Sequence, residues 1–93
     1  MTAVSIVIPV FNSTHSLPLV VDECHRVMSE LDFDYEILLV DDGSGARTWE
    51  TINNLVESNS KVAGLRLGRN FGQHSALLAG IRAATFDFTI TIC

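Results

Sequence analysis

Asp41-Asp42-Gly43-Ser44 holds the side chains of this sequence best suited to chemistry. It follows a near-continuous apolar run, Ile37-Leu38-Leu39-Val40. A short apolar run broken by two acids and a glycine reads as a buried strand that ends in a turn. Carboxylates placed there can accept hydrogen bonds from a ribose or a base, or help to order a cation. The same tetrapeptide also makes an ordinary turn, in which Asp41 ends the strand and caps the turn. A second strand ending, Ile6-Val7-Ile8-Pro9-Val10-Phe11-Asn12, adds weight to the chemical reading. Pro9 and Phe11 offer flat apolar surface for a base, although Phe11 suits a core equally well and Pro9 also punctuates a strand edge. Asp42 offers an acceptor for a base N–H or a ribose hydroxyl. Arg69 and the backbone around Asn70 and Gly72 precede a later helix, whose free N–H groups are suited to phosphate. Arg69 reads alternatively as a solvated loop charge, and Asn70 and Gly72 as loop formers that tolerate a left-handed backbone. His74 is either a polar cap or a substrate contact, while His15 and His25 read as solvated.

Four strands must bring these residues together. Strand one spans Val4 to Val10 and is rich in β-branched residues. A polar loop leads to helix one, Leu17 to Leu31, which Ser16 is placed to cap and Pro18 to start. Leu17, Val20, Val21, Cys24, Val27, Met28 and Leu31 recur at helical spacing and form one apolar face. Strand two spans Tyr35 to Val40. Helix two runs from Thr48 to Ser58 with Trp49, Ile52, Leu55 and Val56 inward. Strand three spans Val62 to Leu67, helix three Gln73 to Ala84, and strand four starts near Asp87. Gly80, among Leu77, Leu78, Ala79 and Ile81, permits close helix–sheet packing. This β-α-β-α-β-α-β order predicts an α/β fold with a mostly parallel β-sheet and helices on both faces. Ligands of such sheets sit just outside the carboxyl ends of the strands, here Pro9 to Asn12, Val40 to Ser44, Leu67 to Gly72, and Cys93.

Composition excludes several functions. The chain has 93 residues, a net charge of −5, 47% hydrophobic residues and only 18% charged ones. So apolar a short chain is expected to leave surface for a missing segment, or for self-association through an uncovered sheet. No basic run is present, which argues against nucleic-acid binding. Cys24 and Cys93 lack metal-ligand spacing, and Cys24 falls on an apolar helix face as a plain buried thiol. No signal peptide or membrane span is legible, and a cytoplasmic location is expected. Nothing like G-x-G-x-x-G follows strand one, so the pyrophosphate mode of dinucleotide enzymes is not supported. A flavodoxin-like signalling domain would need an acid at the end of strand one, where Phe11-Asn12 stands.

The stretches IVIPVFN, EILLVDDGS and LGRNFGQHSALLAGI resemble the start of family 2 glycosyltransferases, in their usual order and spacing. RNFGQHSALLAG is the most specific of them, and the likeness is to the polyprenyl-phosphate sugar transferases. The resemblance implies a GT-A fold, of which residues 1–93 make a single partial domain, the incomplete nucleotide-sugar-binding half. It implies a UDP- or GDP-sugar donor and a polyprenyl-phosphate acceptor at the cytoplasmic face of the membrane. It places Pro9, Phe11 and Ser13 in the nucleotide pocket and Val40 and Asp42 against base and ribose. It also implies Mg2+ or Mn2+ in the complete enzyme, held by an Asp-x-Asp motif. That motif does not stand at its family place in the 93 residues, since family order puts it at or just after Cys93, and the triplet Asp32-Phe33-Asp34 precedes strand two instead. The piece alone is therefore expected to hold no metal and to transfer no sugar. Two further departures are Ser13, where the family often has Glu, and Ala46, where it often has Asp. A reading of another class is a non-catalytic nucleotide-binding module or truncated remnant.

Overall fold

The computed structural model describes residues 2–92 and places seven elements in the predicted order. They are β1 (Ala3–Val10), α1 (Leu17–Leu31), β2 (Asp34–Asp41), α2 (Ala46–Ser58), β3 (Val62–Arg66), α3 (Gln73–Ala83) and β4 (Phe88–Thr91). The four strands form one parallel sheet in the order β3-β2-β1-β4. The expected strand end at Cys93 lies outside the described residues.

Side-chain alternation divides the core into two layers. Ile6, Ile8, Ile37 and Leu39 face Leu17, Val21, Cys24 and Met28 of α1 and Ile52 of α2. Val7, Leu38 and Val40 point the other way, against Ala76 of α3. Helices thus cover both faces, which is why β1 and β2 read as unbroken apolar runs. Trp49, Leu55 and Val56 pack inward from α2 as the periodicity predicts. A Cβ on Gly80 would lie 2.3 Å from Val7 Cγ1 and 3.0 Å from Val40 Cγ2. Only glycine lets α3 settle this deeply onto the sheet.

Several expectations need correction. Ser16 makes no side-chain cap bond, because its own backbone is already helical at φ −82° and ψ −20°. Its carbonyl instead accepts the Val20 N–H at 3.1 Å, as an ordinary first turn. Leu31 is 50% exposed. It is the last residue of α1, where left-handed Asp32 turns the chain away. His25 is not a free surface group. Its Nδ1 lies 2.6 Å from the Tyr35 hydroxyl and its Nε2 2.6 Å from Asn59 Nδ2, tying α1 to β2 and to the end of α2. Among the described residues, no helix is long and apolar enough to cross a membrane.

A carboxylate fastens the α3–β4 connection at the end of the sheet opposite the Asp41-Asp42 turn. Glu36 Oε2 accepts hydrogen bonds from Ser5 Oγ at 2.5 Å, Thr85 N at 2.7 Å and Thr85 Oγ1 at 2.8 Å. Burial pushes the Glu36 carboxyl up, but these donors favour the anion more strongly and leave it below its usual value. A depressed folded value stabilises the fold above the unfolded value, and that contribution fades as pH falls through the folded one. Urea melts should therefore find Glu36→Gln less stable than the native chain by about 1.5–3 kcal/mol at neutral pH. The gap should narrow as pH drops below the reference Glu value of 4.5. A gap unchanged in acid would contradict this account of the clamp.

Candidate functional site

Parallel pairing sets Val10 beside Asp41, and Asp41 beside Arg66, so three strand ends meet at one edge. The chain leaves β1 through Asn12, whose φ of 52° is left-handed. Two bonds cross from this exit to the turn after β2. The Asn12 N–H donates to Ser44 Oγ at 2.7 Å, and the Gly45 N–H donates to Asn12 Oδ1 at 3.2 Å. The Asp42 N–H completes the join by donating to the Val10 carbonyl at 2.8 Å.

The two acids have separate surroundings. Asp41 is wholly buried, and its Oδ1 accepts the Ser44 N–H at 2.8 Å to close the turn. Asp42, 3% exposed, meets the loop before α3. Its Oδ1 accepts the Phe71 N–H at 2.9 Å, and its backbone carbonyl accepts from Asn70 Nδ2 at 3.0 Å. Asp42 thereby organises the Arg69–Phe71 loop and also borders a cavity.

That cavity, about 220 Å³, is lined by Pro9, Val10, Phe11, Ser13, Asp42 and Gln73. Four of the residues singled out in the sequence, Pro9, Phe11, Ser13 and Asp42, thus share one wall. Phe11 is 51% exposed, so its ring is surface rather than core. Ser13 is half-buried, with Oγ donating to the Phe11 carbonyl at 3.2 Å. The other three residues stand elsewhere. Val40 is 0% exposed and packs beneath α3, and it does not line this cavity. Asn70 anchors the loop through the Asp42 carbonyl. Arg69, in the loop before α3, lies with its guanidinium 4.8 Å from the Phe71 ring centre. His74 is exposed, in the first turn of α3. Sequence reasoning missed Gln73, whose only signal was its position as the first residue of α3. It also missed Asn12 and Ser44, which act by bonding to each other across 32 positions.

A four-stranded parallel sheet with helices on both faces defines an α/β protein, and its structural neighbours make it a partial GT-A-like domain. The same architecture occurs in the crystal structure of S. aureus TarS, residues 1–349. The match has a TM-score of 0.78 at 18% identity and covers 99% of this chain and 27% of that one. A mannosyltransferase from Pyrobaculum calidifontis, PcManGT, solved with GDP-Man and Mn2+, matches with a TM-score of 0.71 at 21% identity. That match covers 92% of this chain and 25% of the mannosyltransferase. Residues 5–92 match the family described as Glycosyl transferase family 2, and the chain belongs to it. Undecaprenyl-phosphate 4-deoxy-4-formamido-L-arabinose transferases are relatives in sequence. The one from Aeromonas hydrophila subsp. hydrophila is 40% identical over 90 residues, and the one from Proteus mirabilis 42% over 92. Each alignment covers 96% of this chain, which spans 28% of the relative's length.

The described residues do not fit a divalent cation. Among the described residues, no group of three or more His, Cys, Asp or Glu side chains is placed to hold a metal ion. Asp41 Oδ2 faces Arg66, and Asp42 Oδ1 holds the Phe71 amide.

Gly43 sits at the centre of the turn with φ +80°, and a Cβ there would lie 2.3 Å from Asn70 N and 2.7 Å from Arg69 C. The left-handed backbone and the clash with main chain add together. Gly43→Ala should destabilise the chain by about 2–4 kcal/mol in denaturant melts. A Cβ on Gly68 would have nothing within 4 Å, and Gly68→Ala should stay within about 0.5 kcal/mol of the native chain. Equal effects at the two positions would contradict the close approach of turn and loop.

Proposed function

We propose that the cavity beside Asp42 receives the nucleoside of a UDP- or GDP-sugar. In the full-length enzyme the sugar would pass to a polyprenyl phosphate at the cytoplasmic face of the membrane, in envelope biosynthesis. The observation that carries the reading is the shared wall of Pro9, Phe11, Ser13 and Asp42 at the carboxyl edge of the sheet. An apolar ring and a proline beside a carboxylate match a base beside a ribose. Membership of family 2 and the undecaprenyl-phosphate relatives support the reaction class.

In that reaction an oxygen of the acceptor phosphate attacks the anomeric carbon. The bond from that carbon to the nucleoside diphosphate breaks, and the configuration inverts. The acceptor oxygen is already anionic, so positioning and stabilisation of the departing diphosphate dominate. This chain contributes donor recognition. Phe11 would stack against the base, Asp42 would accept from it or from the ribose, and Ser13 would complete the wall. Arg69, in the loop before α3, would face the diphosphate. Mg2+ or Mn2+ belongs to the complete enzyme in this reading, and none of the carboxylates described above holds it.

A titration of the chain with UDP, UDP-sugars and GDP, followed by amide NMR, tests the proposal. Millimolar UDP should shift Phe11, Ser13, Asp42 and Gln73 and leave the α1 amides, from Val21 to Met28, in place. An absence of shifts, or shifts centred away from this cavity, would remove the donor-site reading.

A further inference from the structure

Asp41 Oδ2 is the one fully buried side-chain oxygen or nitrogen among the described residues that lacks a hydrogen-bond partner. A buried carboxylate with one oxygen left unbonded needs a counter-charge close by. Arg66 supplies it. The two residues are register partners on the parallel strands β2 and β3, so their side chains leave the same face of the sheet. Arg66 Nε stands 3.6 Å from Asp41 Oδ2, which is an ion-pair distance and too long for a hydrogen bond. The Arg66 side chain is 45% exposed, and α2 steadies it: its guanidinium carbon lies 5.2 Å from the centre of the Trp49 ring. A planar guanidinium can rest on an indole and still face a carboxylate, which a lysine ammonium does less well.

We propose that Arg66 is a positioning residue for the donor site, acting through Asp41. Its charge lets Asp41 remain buried and bonded to the Ser44 N–H. That bond sets the turn, and the turn presents Asp42 to the Phe71 amide on one side and to the cavity on the other. The role in ligand binding rests on the donor-site reading above, whereas the coupling of Arg66 to the turn does not.

Amide hydrogen exchange and UDP titration on Arg66→Met, Arg66→Lys and Arg66→Met/Asp41→Asn test the proposal. Arg66→Met should speed exchange at Ser44 and Phe71 by about tenfold, with Ile37 and Leu39 in central β2 unchanged, and weaken UDP by about tenfold. Arg66→Lys should fall between the native chain and Arg66→Met. The double variant removes the stranded charge and should restore both readings, since the amide oxygen introduced by Asp41→Asn can still accept from Ser44. Faster exchange spread evenly over the sheet would reduce Arg66 to a general stabiliser and overturn the proposal. Unchanged exchange would make it a solvated surface charge and overturn it equally. A native chain that ignores UDP would overturn the donor-site reading and the ligand-binding role together, while the exchange pattern would still decide the coupling of Arg66 to the turn.

Discussion

The parallel pairing of β1 with β2 runs unbroken from Ala3 beside Asp34 to Val10 beside Asp41. Everything at the site is built outward from that register. A slip of one residue would reverse the faces of β2. Asp42 would then turn from the α3 side towards α1 and α2, and its bond to the Phe71 amide would be lost. The register is held from both sides of the sheet, because each layer of helices accepts only one set of side chains. At the far end, Glu36 fastens the α3–β4 connection to β1 and β2. At the near end, Asn12 and Ser44 lace the two strand exits together.

Adjacent acids of one sequence motif have separate tasks because they leave the strand in opposite directions. Asp41 turns inward to the layer shared with α2 and commits its carboxylate to Ser44 and Arg66. Asp42 turns to the loop before α3, where it orders Asn70 and Phe71 and borders the cavity. Neither is placed as a cation ligand. The pair that first suggests metal or catalysis is thus one buried anchor and one organiser of a cavity wall.

The element order was legible because strand and helix periodicities alternate cleanly. Apart from Leu31 at its end, the inward face of α1 was equally legible, as was the role of Gly80, both being local in sequence. Other features were hidden for physical reasons. Ile37 to Val40 are buried on both faces, so the run carries no alternation to show that Val40 belongs to the core under α3. The bonds of Asn12 with Ser44 and Gly45 and the meeting of Gly43 with Asn70 join segments distant in sequence, and no local pattern announces them. Arg66 carried no signal in the sequence, because its register partner, a buried acid, stands on another strand. His25 looked solvated because Tyr35 and Asn59, its two partners, come from other elements.

The division of labour between the two acids is the central claim, and single amide substitutions test it most directly. UDP affinity would be measured by NMR for Asp41→Asn and Asp42→Asn side by side. Asp41→Asn should keep the affinity of the native chain, since its amide oxygen still accepts from Ser44. Asp42→Asn should lose about tenfold or more, as the acceptor proposed for the nucleoside loses its charge. Equal losses in the two variants, or a greater loss in Asp41→Asn, would contradict the account.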